Sequence, residues 1–159
     1  MNAQQQLTPP AIGQIWPGQG GIYAGVIPAR NGQEAYHLVI GEELGRFEWG
    51  PYENESSAVC LVDGLLNTKN LIGEGDDYPA AKAAAAHQAD GHTDFYLPAI
   101  AELNEVWMNL GDQPWGWVWS SSQRSACYAF SMYFADGTQN NHVKGSELRV
   151  RPVRRLPIQ

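Results

Sequence analysis

Hydrophobic positions change period twice along this chain. In residues 21–27 and 34–40, short apolar runs have the length and β-branched content of strands. Between them Arg30-Asn31-Gly32-Gln33 supplies the Asn-Gly pair of a tight turn, which predicts a β-hairpin. Residues 47–49 and 58–62 are shorter strand candidates, separated by the polar loop Glu53-Asn54-Glu55-Ser56-Ser57. The period then becomes helical. A first helix is expected from Asp76-Asp77-Tyr78-Pro79, where acidic residues and proline suit a first turn, through the Ala-rich stretch to Asp90-Gly91. A second starts at Leu97-Pro98, sets Ile100, Leu103, Val106, Trp107 and Leu110 on one stripe, and stops at Gly111. From Trp115 a period of two returns: Trp115, Trp117 and Trp119 alternate, residues 126–134 read as a strand, 135–138 as a turn, and 147–153 as a closing strand.

The order strands, two helices, strands predicts the α+β class with antiparallel sheets rather than a βαβ nucleotide fold. Gly64 with Asn67-Thr68, and Gly73 with Gly75, lack the lysine and the strand-to-helix setting of a phosphate loop and read as turns. Residues 1–14, with Gln4 to Gln6 and Pro9-Pro10, read as a flexible N-terminal arm, and residues 15–159 as one domain. The 17 Gly and 10 Pro exclude a coiled coil, and a chain of 159 residues has enough core to fold without disulfides. Cys60 and Cys127 are therefore expected as buried free thiols. No basic and apolar leader opens the chain and no 18-residue apolar run occurs, so it is expected to be made in the cytoplasm without a signal peptide and without membrane insertion.

Ten Lys+Arg against 17 Asp+Glu give a net charge of −7, which argues against nucleic acid as a partner. The one basic cluster, Arg149, Arg151, Arg154 and Arg155, is read as answering the acidic excess elsewhere in the fold. No cofactor and no metal are expected. His87, Asp90, His92 and Asp94 make a polar helix end rather than a metal site, Glu74, Asp76 and Asp77 compensate a helix dipole, and Ser120-Ser121-Ser122 lies in no nucleophile elbow.

The chemistry that does stand out lies between Gly111 and Gly145. Trp115, Trp117, Tyr128 and Tyr133 accompany Gln123, Arg124, Asn140, Asn141 and His142, while Trp119, ahead of the serine run, reads as core. Aromatic faces beside planar amide and guanidinium donors give large contact area at low rotamer cost, as sugar- and epitope-binding surfaces require. These nine residues are the candidate ligand-binding set.

The ordered strings Asp63-Gly64-Leu65-Leu66-Asn67-Thr68, Asp94-Phe95-Tyr96-Leu97-Pro98, Trp119-Ser120-Ser121-Ser122, Phe134-Ala135-Asp136-Gly137 and Arg149-Val150-Arg151-Pro152-Val153-Arg154 resemble the bacterial and phage domain family named for the C-terminal region of the Legionella collagen-like adhesin. The resemblance implies a C-type-lectin-like fold: two helices packed on short antiparallel sheets, adjacent N- and C-terminal strands, and an irregular loop face for binding. Gln113-Pro114-Trp115 is the nearest string to a lectin calcium motif, and its Trp cannot ligate calcium, so calcium-dependent sugar binding is not implied. Nor do Cys60 and Cys127 match the active-site cysteine pair of the oxidases that share the fold.

The expected function is thus a non-enzymatic recognition module, phage or prophage encoded and virion-associated, that binds a protein or glycan on a bacterial surface. Avidity would favour a homo-oligomer or attachment to a larger virion assembly. The alternatives are a structural virion or tail-assembly protein whose aromatic face packs on a neighbour, an intracellular inhibitor of a host protein, and a metal-dependent oxidase.

Overall fold

The computed structural model describes residues 7–75 and 77–158. Among them are nine strands and three helices: β1 (Ile15–Trp16), β2 (Gly21–Ile27), β3 (Tyr36–Ile40), β4 (Arg46–Phe47), α1 (Gly64–Glu74), α2 (Pro79–Ala86), α3 (Ile100–Leu110), β5 (Trp117–Gln123), β6 (Tyr128–Tyr133), β7 (Thr138–Val143), β8 (Leu148–Arg149) and β9 (Val153–Pro157). The chain is α+β. One sheet has the order β1-β2-β3-β9, so that the last strand pairs antiparallel with one of the first; the other has the order β4-β8-β5-β6-β7.

The predicted hairpin forms in register, Ile27 opposite Tyr36, and Asn31 and Gly32 take the positive φ values, 52° and 79°, that its tight turn requires. The second predicted helix is α3, whose buried Ile100, Leu103 and Val106 face the core and whose end is capped by Gly111. Other expectations need correction. The stretch read as glycine turns is the helix α1, started by Asp63, whose carboxylate accepts from the Leu66 N–H at 3.0 Å. Gly64 is there for space: a Cβ would lie 2.5–2.6 Å from Ala99 N, Glu102 Oε1 and Leu97 O. The Ala-rich helix stops at Ala86 rather than at Asp90-Gly91, because His87 takes an extended ψ of 140°. Part of its expected start, Asp76, lies outside the described residues.

Residues 58–62 form no strand; Ala58 O and Leu61 O instead accept from the backbone N–H groups of Gln123 and Ala101. The closing strand is split by Val150 to Pro152 into β8 and β9, which serve different sheets. Of the expected arm, residues 1–6 lie outside the described residues, while Gly13 N–H donates to Tyr23 O and Tyr23 N–H to Gln14 O, both at 2.9 Å.

The core has two main parts, separated by β5. Val118 faces a cluster with Leu38, Tyr96, Leu103, Val106 and Met132; its neighbour Trp119 points the other way, to Trp49, Leu71, Ala81 and Leu97. A carboxylate ties the helices together. Glu102, with no exposed surface, accepts hydrogen bonds from Tyr36 Oη (2.7 Å), Tyr96 Oη (2.5 Å), Gly64 N–H (2.9 Å) and Ala99 N–H (3.0 Å), with Arg155 Nη2 at 3.6 Å. Burial pushes its pKa up, and these donors pull against that shift. The basic cluster is spent on structure, as expected: Arg149 pairs with Glu43 (3.1 Å), Arg154 with Asp94 (2.8 Å) and Arg155 with Asp63 (3.1 Å).

Candidate aromatic binding face

Cross-strand register decides which predicted site residues meet. Trp117 pairs with Tyr133, Ser131 with Asn140, and Ala129 with His142, so Trp117, Tyr133, Asn140 and His142 project from one face of the second sheet. The Trp117 and Tyr133 rings stack, with centroids 5.0 Å apart and planes inclined by 29°. His142 meets Trp117 edge-on at 4.7 Å, and its Nδ1 lies 2.7 Å from Ser131 Oγ. Burial holds the His142 pKa below its ordinary value, so the ring is neutral at pH 7. The result is a half-buried slab of three rings with Asn140 exposed beside it.

The other predicted residues go elsewhere. Tyr128 and Asn141 lie on the opposite face of β6 and β7, Tyr128 with 40% of its surface exposed. Arg124 is exposed in the turn from β5 to β6. Gln123 is turned inward, its Oε1 accepting from Ser56 N–H (2.8 Å) and from the buried Lys144 Nζ (2.7 Å). Trp115 is a correction: only 7% exposed, it packs on Phe134 at 4.8 Å and under the Arg151 guanidinium at 4.0 Å. The alternation breaks at Gly116, whose φ of 64° ends the strand pattern before Trp115 is reached. A side chain at Gly116 would also collide with the Arg149 guanidinium. Trp119 is core, donating from Nε1 to Phe47 O at 2.7 Å.

Residues outside the predicted set complete the site. Arg46 pairs across strands with Arg149, and with Glu147, Leu148 and Gly116 they enclose a shallow cavity of ≈ 270 Å³ whose other wall is Trp117 and Tyr133. Arg149 is already neutralised by Glu43, and among the described residues Arg46 has no ion pair. Arg149 was visible in the basic cluster; Arg46 carries no local signal, because only pairing between β4 and β8 brings it here.

Chemically this is a stacking surface with, among the described residues, one guanidinium that has no ion pair. Ser131 and His142 are in hydrogen-bond reach, but Ser131 is fully buried, so its hydroxyl is not placed to attack a bound substrate. Elsewhere, His92 Nε2 bonds to Gly18 O, Asp90 accepts from Gly20 N–H, and Asp94 is paired with Arg154; among the described residues no three His, Cys, Asp or Glu side chains converge. Cys60 and Cys127 are free thiols and half-buried rather than buried. Among the described residues no helix is long and apolar enough to cross a membrane. The chain matches no protein-family model and no curated protein.

Proposed function

We propose that this protein is a non-enzymatic recognition module and that the slab of Trp117, Tyr133 and His142 binds a glycan on a bacterial surface. The observation that carries the reading is the stacked Trp117–Tyr133 pair, held by two paired strands and open on one side to the cavity that Arg46 and Arg149 border. A sugar ring offers C–H groups to such a slab and hydroxyls to Arg46 and Asn140, and a rigid aromatic surface has little conformational freedom to lose on binding. The resemblance to the adhesin-domain family supplies the bacterial-surface setting and a lectin-like fold, and with them a phage or prophage origin, virion association and multivalent display.

The test is binding of the purified chain to a bacterial glycan array and to whole cells. Trp117→Ala and Tyr133→Ala are expected to weaken binding at least about tenfold, whereas Tyr128→Ala, on the opposite face, leaves it unchanged. Equal binding by all three variants, or no binding to any glycan or cell, overturns the reading. Loss of virion assembly with glycan binding intact would favour a structural role.

A further inference from the structure

A second cavity, ≈ 560 Å³, shares no residue with the aromatic site. It opens between α1, α2 and residues 93–96, and its apolar walls are Leu65 and Ile72 of α1, Ala85 of α2, and Phe95. Leu65, Lys69, Ile72 and Gly73 recur at the spacing that places them along one side of α1, so this side lines the groove, with Leu65 also packed against the core. Ile72 retains 43% of its exposure. The groove is also held open. At Gly73 an added Cβ would meet nothing within 4 Å, so no steric demand requires glycine there, and glycine lowers the stability of a helix relative to alanine. A volume of several hundred Å³, mostly apolar and with few polar groups, is the size and character of a small-molecule site.

The charges around it select the ligand. Arg155 on the floor is engaged by Asp63 and Glu102, and Asp94 at the edge by Arg154. Lys69 is exposed on the rim and, among the described residues, has no hydrogen bond or ion pair. Among the described residues the uncompensated charge at the mouth of this apolar groove is therefore one ammonium, in a chain whose net charge is −7.

We infer that the groove between α1 and α2 binds a small amphipathic carboxylate, its apolar body against Leu65, Ile72, Ala85 and Phe95 and its carboxylate at Lys69. This does not rest on the aromatic face.

The experiment titrates decanoate into the full chain by calorimetry, with decanol and decylamine as arms sharing the tail but not the charge. Saturable decanoate binding is expected, at least about tenfold tighter than decanol, with no binding of decylamine. Lys69→Glu should weaken decanoate at least about tenfold while leaving decanol unchanged, and Gly73→Phe, which fills the groove, should abolish both. Thermal melts identify any variant that has not folded, and Ala85→Leu, which narrows the groove from the α2 side, then replaces Gly73→Phe. Absence of decanoate binding at millimolar concentration, decanol binding equally well, or plugged variants binding like the parent chain would each overturn the assignment. So would a concentration-dependent dimer that Gly73→Phe dissolves, since a second copy would then occupy the groove.

Discussion

Two places in this molecule concentrate its chemistry, the Glu102 hub and the Trp117 slab, and they differ in whether their interactions are finished. At Glu102 two tyrosine hydroxyls and two backbone N–H groups converge on one buried carboxylate, with Arg155 beside it; α1, α3, β3 and β9 all depend on that point. At the slab, Trp117 has a ring stacked on one partner and another edge-on, yet keeps a side facing a cavity, and Arg46 nearby is unpaired among the described residues. A satisfied polar cluster in the core contributes stability and a unique packing. An aromatic pair that is rigid but incompletely covered contributes little to stability and is free to act on something else.

The largest effect should come from breaking the hub. Glu102→Ala leaves the hydroxyls of Tyr36 and Tyr96 and the N–H groups of Gly64 and Ala99 without their acceptor in a site closed to water, and Arg155 with Asp63 as its one remaining carboxylate among the described residues. A loss of ~3–5 kcal/mol is expected from urea unfolding, since removing one partner strands the others. A loss below ~1 kcal/mol would mean that water reaches the site and that the hub is not finished in the sense drawn above.

Within the slab strand, two tryptophans two residues apart sharpen the same contrast. Trp119 has no exposed surface and a bonded indole N–H, so Trp119→Ala should cost ~3–5 kcal/mol through the cavity it leaves. Trp117 sits on the same face near the open end, and Trp117→Ala should cost only ~1–2 kcal/mol. Comparable losses in the two unfolding curves would place Trp117 in the core and remove the basis for a binding face.

That pair also shows what the sequence could and could not reveal. Alternation placed Trp117 and Trp119 on one face, but what separates them is cover by residues 44–49, which come from far away in the chain. Trp115 broke the pattern because a single left-handed residue, Gly116, ends it. No sequence signal marks strand β7, because Thr138 to Val143 is an edge strand with little burial on either side and so lacks apolar alternation. Helix α1 was masked by Gly64, Gly73 and Gly75, although Gly64 is demanded by tight packing against the start of α3. The Asn-Gly hairpin and the α3 stripe were legible because each rests on short-range chemistry. The hub was not, since its acceptor, four donors and the Arg155 cation are scattered between residues 36 and 155 and meet only in the fold.

The smallest expected effect concerns pH and tests how closed the slab is. Burial against Trp117 and Trp119 lowers the His142 pKa below the ordinary 6.5, so the folded state resists protonation more than the unfolded chain does. A depressed histidine leaves stability intact above the unfolded value and erodes it as pH falls from about 6.5 through the lower folded value. His37, lowered for the same reason beside Trp16 and Tyr23, acts in the same direction. His142→Gln keeps a polar partner for Ser131 but cannot take up the proton, so its urea midpoint should fall less between pH 7.5 and pH 5 than that of the parent chain, with the residual slope owed partly to His37. Parallel decline in the two proteins would show that water already solvates the His142 ring, making the slab an open surface rather than a walled one and shifting the weight of binding from stacking to Arg46 and Asn140.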